Sequence, residues 1–235
     1  MDYTWLTTYY PLFLQGLGQT LLLLLLSGAI GMALAVPVGL AQVSGGFLSR
    51  HAAALFCALI RGTPLLVQIY ILYYGLGDIL GHMPEVRQSF LWPYLRDGFW
   101  YAVLAFALST AAYEGEVIRG GLLAVPKGEL EAARAYGMSP FTLVRRVWLP
   151  RALQITLPTL SGEAVLLLKS TPLASTVTVI DLLGAANRVR AETFHIYEPL
   201  LVAAVVYVAV SLVIARVFVL LERQIPTRHR PGAIF

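Results

Sequence analysis

The sequence predicts an all-α integral membrane protein in which residues 1–235 form a single transmembrane domain. Apolar side chains make up 58% of the chain and charged side chains 13%, whereas soluble domains are about 25% charged. The apolar residues gather in runs of roughly 20, the length that a helix needs to cross a bilayer. A charged, helix-favouring stretch at residues 131–150 separates two of these runs. Together these observations predict about five membrane-spanning helices and one polar helical loop.

Five apolar runs define the expected spans. Small residues along the first run, Gly28, Gly31 and Gly39, favour close approach of a neighbouring helix. The second run contains Pro64, and the fourth is expected to break near Pro172, because proline lacks the backbone N–H that a helix interior uses. The spans are expected at residues 12–43, 52–76, 99–118, 152–180 and 200–221.

Lysine and arginine in the flanks predict the orientation, since cytoplasmic loops carry an excess of both. The tail before the first span has neither, and the heavily positive segments fall on one side of the bilayer. We therefore expect the N-terminus outside and the C-terminus in the cytoplasm. Residues 181–199 fall outside on this count, although they include Arg188 and Arg190. The expected cytoplasmic positives are Arg119, Lys127, Arg134, Arg145, Arg146 and Arg151 in one loop, and Arg223, Arg228 and Arg230 in the tail.

The loop at about residues 126–150 predicts two short helices joined by a bend. Residues 129–136 are rich in strong helix formers, and Gly137 suits the left-handed position that ends a helix. Ser139 is a suitable cap for the next helix, and Pro140 suits its first position. This arrangement predicts a compact helical hairpin that is too polar for the bilayer core.

The second helix of this loop is expected to end at Leu149 and Pro150, which would turn the chain into the fourth span. Phe141, Leu143 and Val144 begin an apolar stripe along it. Periodicity alone leaves two interpretations open. The loop is a handle for a soluble partner, or it is an amphipathic element that lies on the lipid headgroups.

The residue spacing separates these interpretations, because it resembles the signature loop of the permease subunits of ATP-binding-cassette (ABC) importers. Val147 stands where that pattern has isoleucine. The resemblance implies a cytoplasmic coupling loop whose Ala132, Ala133, Tyr136 and Phe141 face a groove in a partner ATPase. The coupling-loop residues that it implies are Glu131, Ala132, Ala133, Tyr136, Gly137, Phe141, Leu149 and Pro150.

A second segment, RGTPLLVQ at residues 61–68, resembles the polar-amino-acid branch of these permeases. Together with the further matches, the resemblance covers nearly the whole chain and lies closest to importers of histidine, lysine, arginine and ornithine and of opines. Glu114 and Gly115 depart from the residues expected between Tyr113 and Glu116. The further matches are Tyr113, Glu116 and residues 118–120, 125–126, 128–129 and 168–175.

The resemblance implies the type I ABC importer permease fold in a bacterial cytoplasmic membrane. The implied assembly contains two permease subunits (homologous or identical), two ATPase subunits and an external solute-binding protein, with an amino acid as cargo. Closure of the ATPases would push the coupling loops and switch the cavity from inward-open to outward-open. The sequence GxxxxGK[ST], a P-loop, does not occur in this chain. We therefore expect no cofactor in this chain, with ATP and magnesium used by the partner ATPase.

Ionisable groups inside spans are expensive to insert and usually have a function or a partner. Glu163 lies about 20 Å from the cytoplasmic edge at roughly 1.5 Å per residue. Two interpretations remain open: Glu163 meets a cationic side chain of the cargo, or it pairs with a positive group on a neighbouring helix. Lys169, Ser170 and Thr171 precede the break at Pro172, where such breaks line a path or form a plain kink with the hydroxyls bonded back to the helix.

Glu116 and Arg119 are three residues apart and can form a pair on one helix. Arg61 lies near the start of the second span. Structural anchoring is the first interpretation of all three, and gating is the second. The four histidines and the one cysteine show no metal-ligand spacing, so we expect no metal site.

Three other function classes compete with the importer subunit. A stand-alone secondary amino-acid carrier driven by an ion gradient is disfavoured, since such carriers are commonly built from internal repeats. A membrane-embedded enzyme has no catalytic constellation here, so the chain is expected not to be an enzyme. Nucleic-acid binding is disfavoured because the positive residues flank apolar spans and form no basic face.

Overall fold

The computed structural model describes residues 4–224, and every regular element within them is helical. The expected all-α fold class is confirmed for that range. Arg228, Arg230 and the C-terminus, on which part of the predicted orientation depends, lie outside it. The helices are α1 (Thr4–Ser44), α2 (Phe47–Gly62), α3 (Leu65–His82), α4 (Pro84–Arg87), α5 (Trp92–Leu95), α6 (Gly98–Ala124), α7 (Lys127–Ala135), α8 (Pro140–Val177), α9 (Leu182–Thr193) and α10 (Glu198–Arg223).

Two helices of the described residues are long and apolar enough to cross a membrane by themselves. They are Trp5–Ser44 within α1, with a mean hydropathy of 2.4, and α10, with 2.6. The number rises to four if each of two bent helix pairs forms one span. The expected first and fifth spans lie within α1 and α10. The total of five spans stays a prediction.

A bend of 101° separates α2 from α3 and divides the residues expected to form the second span. Pro64 causes it, because its ring disfavours a helical conformation at the preceding residue. Thr63 accordingly has extended backbone angles, φ −115° and ψ 144°. The Gln68 side chain closes the corner by donating to the carbonyl oxygens of Ile60 at 2.7 Å and Thr63 at 3.1 Å. The residues expected to form one span, 52–76, therefore belong to two helices joined by a sharp bend.

Helix α6 is the heavily buried centre of the fold and contains the expected third span. Small residues let its neighbours pack directly on it. A Cβ atom added to Gly39 of α1 would lie 2.9 Å from Ile118 Cγ2, and one added to Gly121 would lie 2.9 Å from the Ala152 carbonyl oxygen. A Cβ atom added to Gly31 would come even closer to the Thr110 side chain. The expected close approach is thus confirmed at Gly31 and Gly39, which bring α1 against α6.

The end of α8 and the residues that follow it differ from the external loop that the sequence predicted. The α-helical part of α8 ends at Ser170, and Thr171–Val177 continue as a 3₁₀-helix. Helix α9 then lies within residues 181–199, where no helix was predicted. Asp181 caps α9 by accepting from the Gly184 N–H at 2.8 Å. Tyr207 of α10 donates to the same carboxylate at 3.1 Å, so one buried aspartate joins the two helices.

Candidate coupling hairpin and acidic cavity

Helix α7 and the first turns of α8 form the predicted bend, here called the coupling hairpin (residues 127–150). Gly137 has a φ of +74°, a left-handed value that glycine adopts without a steric penalty. Its predicted role in the bend is confirmed. The Ser139 hydroxyl accepts a hydrogen bond from the Thr142 N–H at 3.4 Å, and Pro140 stands in the first turn of α8. The cap and the proline therefore start the second helix as the sequence predicted.

Buried apolar residues and two polar contacts fasten the hairpin to the helical bundle. The Trp148 indole Nε1 donates to the Leu122 carbonyl oxygen of α6 at 2.8 Å. The Arg151 guanidinium lies 3.3 Å from the Glu129 carboxylate and so bridges α8 and α7. The hairpin is thus fastened to the adjoining ends of α6 and α8. The buried apolar residues of this cluster are Ala35, Ile118, Leu122, Val125, Leu130, Ala133, Leu143 and Ala152.

The two aromatic residues of the hairpin face outward, whereas one expected contact residue faces inward. Tyr136 is 87% exposed and Phe141 74%, and Ala132 is also exposed. Ala133 is 5% exposed and packs in the cluster, so the expectation that it faces a partner is wrong. The cause is helical spacing: Leu130 and Ala133 share one face of α7, while Ala132 and Tyr136 share another.

Leu149 and Pro150 do not end the second helix of the hairpin, and that prediction is wrong. Helix α8 continues through them to Ser170. A π-helical turn at Val144–Trp148 precedes them, and the Leu149 N–H bonds to the Val144 carbonyl oxygen, five residues back. This wider turn accommodates Pro150, which has no N–H to continue the regular ladder. The hairpin and the rest of α8 are consequently one helix, here called the rod, which also contains Pro158.

A polar cavity of ≈ 270 Å³ lies between α2, α3, α6 and α8. Two carboxylates, Glu114 and Glu163, line it, and none of the described lining residues is lysine or arginine. The cavity is therefore acidic. Its lining consists of Ile60, Thr63, Leu65, Ser109, Thr110, Tyr113, Glu114, Glu163, Leu166, Leu167 and Ser170.

The four expected path residues have different environments. Glu163 and Ser170 line the cavity, whereas Lys169 is exposed. Thr171 is fully buried and donates to the Leu168 carbonyl oxygen at 2.8 Å. Ser170 likewise donates to a carbonyl of its own helix at 2.9 Å, as the plain-kink interpretation expects. Within residues 4–224 no ion pair involves Glu163, although Arg61 of the neighbouring α2 lies near enough to interact with it electrostatically.

Glu114 is the charged cavity residue that sequence reasoning did not select as part of the path. It is 7% exposed, and its Oε2 atom is buried without a hydrogen-bond partner among the described residues. One signal was present in the sequence, because Glu114 departs from the pattern of the resembling permeases. That departure alone could not indicate a cavity, since the cavity depends on α2 and α8 as well as on α6.

Arg61, Glu116 and Arg119 meet where α2 crosses α6. The Arg119 guanidinium contacts the Glu116 carboxylate at 2.9 Å, as expected from their spacing. Arg61 comes within 3.9 Å of the same carboxylate and lies over the Tyr113 ring, 5.2 Å from its centre. These contacts tie α2 to α6, which supports the anchoring interpretation of all three residues.

The described residues form helices with candidate membrane spans and a cavity between them, an arrangement that suits a transport permease. The chain belongs to the family described as binding-protein-dependent transport system inner membrane component, which matches residues 27–226. It is thus a membrane-embedded permease subunit of a transport system.

Individual relatives agree with this assignment. The octopine transport system permease protein OccM of Rhizobium radiobacter is 43% identical over 94% of this chain and 89% of the relative. The histidine/lysine/arginine/ornithine transport system permease protein HisM of Escherichia coli strain K12 is 40% identical over 93% of this chain and 90% of the relative. The resemblance to this branch is confirmed.

Solved structures agree on the fold. A chain of an amino acid ABC transporter crystallised with histidines aligns with a TM-score of 0.80 at 32% identity, covering 96% of this chain and 99% of that one. A chain of the MetNI methionine ABC transporter aligns with a TM-score of 0.73 at 20% identity, covering 90% and 95%. The expected permease fold of ABC importers is therefore confirmed.

Proposed function

We propose that this chain is one of two permease subunits of an ATP-driven importer that carries a polar amino acid with a cationic group, of the basic or opine-like class. The second permease is homologous or identical. A solute-binding protein delivers the amino acid from outside, and separate ATPase subunits bind ATP and magnesium. The names of the relatives and the amino acid ABC transporter of similar structure support this assignment.

The observation that carries the proposal is the coupling hairpin and its continuity with the cavity. Tyr136 and Phe141 project from a frame that is capped, bent and anchored, and exposed aromatics on a rigid frame are typical docking residues. The same helix, α8, carries Phe141 at one end and Glu163 about 33 Å further on, at roughly 1.5 Å per residue. A push on the hairpin would reach the cavity along this one helix, through the π-helical turn at Val144–Trp148 and past Pro158.

The orientation follows from the two ends of α1. The coupling hairpin packs beside the C-terminal end of α1, where Leu40 and Val43 join its cluster. At the opposite end of α1, Trp5 stacks near His195, with ring centres 5.9 Å apart. An ATPase acts from the cytoplasm, so docking at the hairpin puts the N-terminal end of α1 on the external side of a bacterial cytoplasmic membrane. The positive residues of the hairpin loop support the same orientation.

The cargo class rests on Glu163. A carboxylate in a cavity without a lysine or arginine lining attracts a cation, because its desolvation is offset only by an opposite charge or hydrogen-bond donors. In reconstituted importers, Glu163→Gln is expected to lower uptake of lysine and histidine while sparing glutamine. Equal losses for all three amino acids would contradict charge recognition by Glu163.

The function is tested with the assembled importer in proteoliposomes. Wild type is expected to take up a cationic amino acid only with internal ATP and the solute-binding protein. Tyr136→Ala combined with Phe141→Ala is expected to lower uptake at least tenfold. Phe194→Ala, a change at an aromatic that is 85% exposed near the opposite end of α1, is the matched control and is expected to retain uptake. Uptake by this chain alone, driven by a proton gradient, would contradict the proposal and favour a secondary carrier.

A further inference from the structure

Glu114 has an unusual environment for a carboxylate that only stabilises the fold. It is more than nine-tenths buried, it lines the acidic cavity, and its Oε2 has no hydrogen-bond partner among the described residues. A buried charged group without a partner destabilises a protein by at least several times the value of an ordinary hydrogen bond. Such a group therefore indicates a partner that binds there.

The nearby cations of the chain are already engaged or lie elsewhere. Arg119 pairs with Glu116 at 2.9 Å. Arg61 lies over the Tyr113 ring and within 3.9 Å of Glu116. Lys169 is exposed and is not among the lining residues. Within the described part of the chain, neither cavity carboxylate forms an ion pair, and Arg61 acts on Glu163 only across a longer distance.

Some of the donors in the cavity lining are also committed. The Ser170 hydroxyl donates to the Leu166 carbonyl oxygen at 2.9 Å, and the Thr63 hydroxyl donates to the Leu59 carbonyl oxygen at 3.0 Å. What the cavity lacks is a group that combines positive charge with several N–H donors. Two carboxylates from different helices, α6 and α8, further require that these donors point in more than one direction.

We propose that Glu114 and Glu163 together bind the guanidinium group of the cargo, and that Glu114 sets a preference for guanidinium over ammonium. This inference rests on the proposed function. A guanidinium presents five N–H donors in a rigid plane and can bridge two carboxylates, while an ammonium is a compact and more strongly hydrated charge with three donors. Glu163 alone can bind either cation. The Glu114 carboxylate adds hydrogen-bond acceptors that favour the planar guanidinium.

The test measures binding to the purified membrane complex without the solute-binding protein, so that only the permease site contributes. The probes are radiolabelled L-arginine, L-lysine and L-citrulline, the last being a neutral analogue of arginine with similar shape. Wild type is expected to bind arginine more tightly than lysine. Glu114→Gln is expected to weaken arginine binding roughly 10- to 100-fold, lysine binding less than threefold, and citrulline binding not at all.

Two further variants keep the inference falsifiable. Glu163→Gln is the comparison and is expected to weaken arginine and lysine alike. Glu114→Asp keeps the charge and is expected to retain part of the preference for arginine, provided that the complex elutes intact. Equal losses for all three probes in an intact Glu114→Gln complex would overturn the inference, and so would unchanged arginine binding or wild type without arginine binding.

The outcomes also separate this inference from the proposed function. ATP-dependent uptake of cationic amino acids by wild type, with an arginine preference that Glu114→Gln leaves intact, would overturn the role of Glu114 alone. The absence of any ATP-dependent uptake of cationic amino acids by wild type would overturn the proposed function itself.

Discussion

The coupling hairpin and the acidic cavity share helix α8 but are built in opposite ways. The hairpin comes from one continuous stretch, residues 127–150, with its second helix capped by Ser139 and its core filled. The cavity draws residues from α2, α3, α6 and α8 and contains a buried carboxylate oxygen without a partner. The hairpin thus fills its core within the single chain, which suits the proposed docking role. The cavity, in contrast, has a carboxylate oxygen that only a bound ligand would supply with a partner, as the proposed cargo site requires.

The largest effect is expected from a break in helix α8 between the coupling hairpin and the acidic cavity. Ile155 is 40% exposed in the middle of the continuous part of α8. Ile155→Pro removes a ladder hydrogen bond and introduces a clash, at about 3 kcal/mol. We expect ATP-driven uptake to be lost while ATP hydrolysis persists, measured in proteoliposomes containing the assembled complex.

Ile155→Ala is the control for this variant, since it trims the same side chain without breaking the helix. It is expected to keep most of the uptake. If Ile155→Pro transported as well as Ile155→Ala, the two regions would be coupled by another route, and the rod would have no role.

A smaller effect is expected from the bend of the hairpin. Valine at position 137 would have to adopt a φ of +74°, which is unfavourable by about 1–2 kcal/mol. Gly137→Val is therefore expected to lower uptake severalfold and to lower the temperature at which the complex loses its ATPase subunits. Gly137→Asn is the matched control, because asparagine tolerates left-handed angles better. Equal behaviour of the two variants would show that the left-handed bend does not matter for docking.

The smallest effect is expected at the junction of α2 and α6. The Glu116 side chain is 20% exposed and its partners Arg61 and Arg119 are 43% and 40% exposed, so solvent screens these pairs. Glu116→Gln is expected to destabilise the fold by about 0.2–1 kcal/mol and to leave uptake within twofold of wild type, measured by thermal unfolding and by transport. An assembled, stable complex that no longer transports would instead favour the gating interpretation.

The same contrast explains what could be predicted from the sequence. The bend at Gly137, the cap at Ser139 and the start at Pro140 depend on local backbone preferences, and all three were predicted. The end of the helix at Pro150 was not, because the π-helical turn at Val144–Trp148 absorbs the missing donor. A proline predicts that its own N–H is missing. It does not predict how the backbone of the preceding turn adapts to that loss.

Residues whose roles depend on distant contacts were harder to predict. Ala133 was expected to face a partner, but its helical face is set by the bundle beneath it. Glu114 was noticed only as a departure from a pattern, since its burial depends on the helices that pack around α6. Helix α9 was missed because Arg188, Arg190 and Glu192 make its segment polar, although an Arg188–Glu192 contact of 3.0 Å joins consecutive turns.

The central claim is that the coupling hairpin docks on an ATPase subunit, and cross-linking tests it most directly. Cys57 is the one cysteine of the chain, so Cys57→Ala provides a background for Tyr136→Cys or, as control, Phe194→Cys. In the assembled importer, a short bifunctional reagent is expected to join Tyr136→Cys to the ATPase subunit, with a yield that changes when ATP is added. The Phe194→Cys control is expected to give no such product. A product with the ATPase from Phe194→Cys but none from Tyr136→Cys would contradict both the docking role and the orientation.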